Sequence, residues 1–270
     1  MKRQKVRKPK WMGQGASVGL SMGLFLLIWQ GVIWLGEYPT FILPSPSAVC
    51  ERWGDLIANG ALWLHTAVTL REVLLGLGLG ALTAIVLGYL LVHSPPAERL
   101  LTPYIVASQS VPTVAVAPLL VIWFGTGTFS KVLVCALIVF FPILMNTMVG
   151  VRSVSRDLRD LMRTLEANRW QMLWLLEVPA SLPVLLSGLK MGATLSVIGA
   201  VVGEFVASDR GLGYLLKQGQ QLYDTPLVFV GIGVLIVLAQ TLYGLVALIE
   251  RWLLRWRGAA IKGERERRII

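Results

Sequence analysis

The chain has 270 residues, 55% of them hydrophobic and 15% charged, with a formal net charge of +10 at pH 7. That balance, with a mean hydropathy of +0.68, excludes a soluble domain of this length. Net positive charge alone could indicate nucleic acid, but the placement of the basic residues points to a membrane surface instead.

In chain order, six runs meet the requirement of about 20 mostly apolar residues for a bilayer-spanning helix: 18–35, 66–92, 103–124, 129–149, 182–207 and 226–249. The first follows a basic segment, as in a signal peptide. Its apolar run is too long, however, and Gly36–Glu37–Tyr38–Pro39 offers no small-residue cleavage site, so it reads as an uncleaved anchor. After it, Phe41 to Ser47 reads as a rigid turn, with Ser47 capping a short surface helix over 48–58. The connections between spans are too short to form a soluble substrate-capturing module.

In the second span Gly76, Gly80, Ala84 and Gly88 form a small-residue ladder. In the fifth, Gly188, Gly192, Ser196 and Ala200 form another, beside the row Gly199, Gly203 and Ala207. Such ladders let helix backbones approach closely; they are either plain packing faces or rows that slide when a pore changes state. Pro112, Pro118 and Pro142 invite kinks in the third and fourth spans. Arg71, Glu72, Lys131, Lys190 and Glu204 are the charges inside spans. The first four lie near span ends, where long side chains reach headgroups, leaving Glu204 as the acidic group well inside. Glu204 is then either an outer-gate residue paired with a cation, with Arg210 of the next loop as a candidate, or a boundary residue solvated beside Asp209–Arg210.

The loop between spans four and five, 153–183, carries the most information. Leu158, Leu161, Met162 and Leu165 share one stripe of a helix, with Arg156, Asp157, Arg159, Asp160, Arg163 and Glu166 on its other faces. A helix of this kind held in water needs a partner groove, or else is merely a solvated charged loop. The basic residues fix its side. Lys2, Arg3, Lys5, Arg7, Lys8 and Lys10 precede the first span, Arg251, Arg255, Arg257, Lys262, Arg265, Arg267 and Arg268 follow the last, and Arg99, Arg152, Arg156, Arg159, Arg163 and Arg169 lie in connections on that side. The opposite connections hold Arg52, Arg210 and Lys217, with Lys131 at the boundary. The positive-inside rule therefore places both termini and the charged loop in the cytoplasm.

Chemistry is sparse. The sequence has no GxxxxGK[ST] phosphate loop and no Ser/His/Asp or paired-carboxylate arrangement in its loops, so the expectation is a non-catalytic subunit. Cys50 and Cys135 lack CxxC spacing, and His65 and His93 stand alone and read as structural histidines, so no metal site, disulfide framework or cofactor is expected. A transporter with a docking helix and no fuel site of its own calls for ATP hydrolysis in a bound partner.

Asp160–Leu161–Met162, then Arg163–Thr164–Leu165, then Glu166, with Leu182–Pro183 downstream, resembles the cytoplasmic loop of permease subunits of binding-protein-dependent ABC importers. The usual pattern of that loop is EAA, three residues, Gly, and a later LP pair. Ala167 to Gln171 continues the likeness, as do Trp123 to Gly127, Phe141–Pro142–Ile143, Gly203–Glu204–Phe205 and Arg210 to Tyr214. The resemblance covers about 60–250 and is similar to the branch importing nitrate, sulfonates, taurine, thiamine pyrimidine precursors and riboflavin. Ala193 to Ala200, and Asp224 to Phe229, lean toward the pyrimidine-precursor or riboflavin members. The chain departs where Asp–Leu–Met replaces Glu–Ala–Ala and where Glu166 replaces the family's glycine.

The resemblance implies an all-α, six-span inner-membrane permease: a basic tail over 1–17, an anchor and external turn over 18–59, a core over 60–250 and a second basic tail over 251–270. It implies a homodimer, two copies of a cytoplasmic ATPase, an extracytoplasmic solute-binding protein, and alternating access for a small solute. Leu158, Leu161, Met162 and Leu165 are expected to be the buried contact with the ATPase, with Arg159, Asp160 and Arg163 at its rim. Glu166 is expected to let the docking helix run on, or to move the turn to Asn168, and to pair with Arg163 or Arg169. The alternatives are a secondary transporter, which would need ion-coupling residues and no ATPase, and a non-transporting structural membrane protein.

Overall fold

Backbone amides in lipid find no water to bond, so long apolar runs must satisfy their hydrogen bonds within a helix. The computed structural model describes residues 12–255, and among these every regular element is helical. The basic residues expected at 2–10 and 257–268 lie outside the described residues. Helices α1 (Met12–Gly36), α3 (Ala61–His93), α6 (Thr128–Arg152) and α11 (Thr225–Leu253) are long and apolar enough to cross a membrane. So is a continuous rod from Arg169 to Val206, made of α8 (Arg169–Gln171), a π-helical turn (Met172–Glu177) and α9 (Val178–Val206).

The third expected span is sharply bent. It consists of α4 (Pro95–Gln109) and α5 (Thr113–Phe124), which meet at 98°. Pro112 has no N–H to donate and disfavours helical geometry at Val111, so α4 ends at Gln109 with Ser110 as its cap. Pro118 and Pro142, by contrast, stay inside α5 and α6. Counting the bent pair as one crossing gives the six spans expected.

Two smaller elements differ from expectation. The surface helix α2 (Pro46–Ala58) begins at Ser45, whose hydroxyl accepts from the Ala48 N–H at 3.2 Å, because Pro46 occupies the first turn and moves the cap ahead of Ser47. The connection after α9 contains a further helix, α10 (Leu212–Gln221), whose Leu212, Leu215 and Leu216 are buried. Its apolar face turns inward, which a span-by-span hydropathy reading does not detect.

Helix α6 is the centre of the packing, lying against both α3 and α9. The two small-residue ladders both face it. A Cβ added at Gly80 would stand 2.4 Å from Val139 Cγ2 and 2.7 Å from the Ala136 carbonyl; one added at Gly199 would stand 2.7 Å from Cys135 Cα. Both seams therefore depend on the missing side chains. The apolar core around them includes Val73, Val139, Ile143, Leu144, Ala193 and Val197. The outward faces of the bundle are lined with exposed Leu, Ile, Val and aromatic side chains, as lipid contact requires. Helix α1 stands apart, touching α11 through Trp29 stacked on Phe229 at 5.3 Å.

Three of the intramembrane charges, Glu72, Lys131 and Lys190, are not where the sequence placed them. Glu72 and Lys131 do not reach toward headgroups: both are buried, and they pair at 3.4 Å between α3 and α6. Lys190 pairs with Glu250 at 2.6 Å, joining α9 to α11. Glu204 is thus not alone inside the bundle; Glu72 is equally enclosed. Helix partners offer a stable counter-charge that snorkelling would forgo, and removing either member would leave an uncompensated buried charge.

Candidate functional site: a docking loop and a buried carboxylate

At one end of the bundle α6 gives way to the charged loop. Ser155 caps α7 (Arg156–Thr164), its hydroxyl accepting from the Leu158 N–H at 3.4 Å. Leu158 is 46% exposed, Leu161 54% and Leu165 68%, while Met162 is partly covered. Three leucines on one stripe are thus open to water. Asp160 and Arg163 form an exposed ion pair at 3.2 Å. Beyond them Trp170 and Trp174 are also exposed.

The end of α7 corrects both expectations for Glu166. The helix does not run through it, and the turn does not move to Asn168. Glu166 itself takes φ +54. The Ala167 N–H reaches the Met162 carbonyl at 3.0 Å and the Glu166 N–H reaches that of Arg163 at 2.9 Å, the paired bonds of a Schellman motif. Asn168 instead caps α8 with a reciprocal box: its Oδ1 accepts from the Gln171 N–H, and its own N–H donates to Gln171 Oε1, both at 2.8 Å. The backbone keeps the geometry that glycine serves elsewhere, at the cost of a Cβ in the left-handed region. Glu166 has no ion pair with Arg163 or Arg169 among the described residues.

Arg159 also departs from its expected place. It is not an outward rim residue: its guanidinium donates to the Val151 carbonyl at 2.8 Å and lies 3.5 Å from Glu177 Oε1. Glu177, in the π-helical turn, is only 2% exposed and also accepts from Tyr89 Oη at 3.1 Å and meets His93 Nε2 at 3.1 Å. Sequence reasoning missed this junction. Its one sequence signal is a single carboxylate in the apolar stretch 172–186.

At the opposite end Glu204 is fully buried, so the solvated boundary reading fails. Its Oε1 accepts from Thr69 Oγ1 at 2.6 Å and its Oε2 from the Gly213 N–H at 2.5 Å. Thr69 Oγ1 in turn accepts from the Leu212 N–H at 2.8 Å, and the Gly211 N–H donates to His65 Nδ1 at 2.9 Å. Glu204 thus holds the start of α10 against α3. The two glycines make the fit possible: Gly211 has φ +118, and a Cβ there would stand 2.2 Å from Glu204 Cδ. Arg210 does not pair with Glu204. Its side chain lies 3.9 Å from Asp209 on the surface, and its carbonyl accepts from the Ser208 hydroxyl. Lys131 closes the same end, donating to Ser208 Oγ at 2.7 Å. Both histidines make internal hydrogen bonds.

The described residues thus form a helical membrane bundle with an exposed charged loop at one end and an internally fastened opposite end. Comparison with known proteins gives the family: residues 76–255 match the binding-protein-dependent transport system inner membrane component, and the chain belongs to it. It is 46% identical to the riboflavin transport system permease protein RibX of Chloroflexus aurantiacus, over 93% of this chain and 92% of that one. It is 36% identical to the formylaminopyrimidine transport permease protein ThiX of Halalkalibacterium halodurans, over 87% and 93%. With the taurine transport system permease protein TauC of Escherichia coli it shares 32% identity over 93% and 95%. Among solved structures, an inward-facing MetNI methionine ABC transporter chain matches in fold with a TM-score of 0.63 at 18% identity, over 71% of this chain and 97% of that chain. The protein is a transmembrane permease subunit of the ABC importer class, and the secondary-transporter and structural alternatives are not favoured.

Proposed function

We propose that two copies of this chain form the translocation path of an inner-membrane importer, with both termini and the α7 loop in the cytoplasm. Two copies of a separate ATPase drive it and an extracytoplasmic binding protein loads it. The observation that carries the reading is α7 itself. It is a capped helix, pinned to the bundle on one side through Arg159, with Leu158, Leu161 and Leu165 left in water on another. A groove on a cytoplasmic motor covers such a stripe, and a motor that closes on ATP then moves α7 with it. The rim of that contact is Asp160 and Arg163, with Glu166 beside it.

The substrate class is a small heteroaromatic solute. Similarity to a riboflavin permease and to a formylaminopyrimidine permease supports it, ahead of the sulfonate and taurine relatives at lower identity. The test is uptake of radiolabelled riboflavin into proteoliposomes holding the permease, its ATPase and its binding protein, with ATP trapped on the ATPase side. Accumulation that needs ATP and is competed by excess unlabelled riboflavin is expected. Uptake that follows an ion gradient without ATP would return the secondary-transporter reading, and ATP-dependent uptake of taurine but not riboflavin would replace the substrate class.

A further inference from the structure

We propose that Glu177 is a positioning residue that carries displacement of α7 into α3, an inference that rests on α7 being the ATPase contact. Glu177 belongs to neither helix. It sits in the π-helical turn that opens the Arg169–Val206 rod, where the Val178 N–H bonds back to the Leu173 carbonyl, five residues earlier. Pro179 follows directly and has no N–H to restore the ordinary register. From this position a carboxylate with almost no solvent exposure meets three polar side chains on two elements. Arg159 of α7 lies 3.5 Å from Oε1, and Tyr89 and His93 of α3 each lie 3.1 Å from one of its oxygens.

A shift of α7 that left α3 behind would strip a carboxylate that is only 2% exposed of one partner or the other. The two helices therefore travel together while Glu177 holds both sets of partners. Arg159 also grips the Val151 carbonyl at the end of α6, so the junction includes the central helix. Helix α3 is one uninterrupted rod of 33 residues. Its far end carries His65 and Thr69, which bond Gly211, Leu212 and Glu204. Movement delivered at His93 thus reaches the loop and helix α10 at the opposite end of the bundle. Among the described residues, Glu177 is the side chain through which the α7 loop engages that rod by charge.

Hydrogen exchange on the complete permease–ATPase complex in nanodiscs tests this without any transported solute. In the wild type, trapping with ATP and vanadate is expected to change exchange over both 156–164 and 86–93. In Glu177→Gln the ATPase still copurifies and the response over 156–164 persists, while the response over 86–93 is lost. The double variant Tyr89→Phe/His93→Gln, which leaves Glu177 and Arg159 in place, is expected to lose the same response, and it decides the matter if Glu177→Gln does not fold. A response over 86–93 that survives in either variant at wild-type amplitude overturns the proposal. So does loss of the ATPase from Glu177→Gln, because Glu177 would then shape the docking surface rather than transmit its motion. A wild-type permease that retains no ATPase at all would refute the docking reading itself, a separate result.

Discussion

Replacing Leu161 with aspartate removes the centre of the α7 stripe without touching the fold. Its side chain is 54% exposed and makes no polar bond, so the bundle loses little. Covering a leucine completely contributes about 1.5–3 kcal/mol, so covering this remaining half contributes about 0.8–1.6 kcal/mol to docking. An aspartate forced into the same groove also loses its hydration, a penalty of several kcal/mol when no partner is supplied. Together the two effects reach about 4 kcal/mol, on the order of a thousandfold in dissociation constant. Leu161→Ala carries only the first effect and should weaken docking about tenfold or less. The assay is recovery of ATPase on an affinity-tagged permease in detergent, with permease abundance in the membrane as the control for insertion. Leu161→Asp should insert normally and retain no ATPase, with Leu161→Ala between it and the wild type. Wild-type recovery of ATPase with Leu161→Asp would show that the stripe is not the contact.

Three further expectations rest on other parts of the molecule. Gly211→Ala must place a Cβ 2.2 Å from Glu204 Cδ in a backbone with φ +118; it should lower the thermal midpoint of the purified permease by several degrees, and an unchanged midpoint would mean the α10 loop relaxes freely. Glu166→Gly relieves a left-handed non-glycine residue costing about 1–2 kcal/mol and adds about 0.5–1 kcal/mol of chain entropy. It should therefore slow hydrogen exchange at the end of α7 slightly, and faster exchange there would show that the glutamate side chain holds the turn. For orientation, a cysteine at Asp209 should label in intact cells with an impermeant thiol reagent while one at Ser155 does not, in a background with Cys50 and Cys135 replaced; the reverse pattern inverts the topology.

The spans, the amphipathic stripe of α7 and the family pattern were legible in the sequence because each is a local property. Lipid makes the length of an apolar run a near-direct readout of a crossing, and a 3.6-residue period puts Leu158, Leu161 and Leu165 on one face whatever surrounds them. The small-residue ladders were legible for the same reason, although only the packed bundle shows that both face α6. Pairings between distant segments were not legible. Glu72 and Lys131 lie near span ends by position, yet they meet each other because α3 and α6 run side by side. Glu204 looked open to a cation from Arg210, yet its oxygens are taken by Thr69 and a glycine N–H from a helix that hydropathy passes over. Arg159 resembled its exposed neighbours, and Glu177 looked like a stray charge in an apolar run. Tertiary structure decided these, because a buried charge takes whichever partner the packing brings within about 3 Å, and helix packing depends on every span at once.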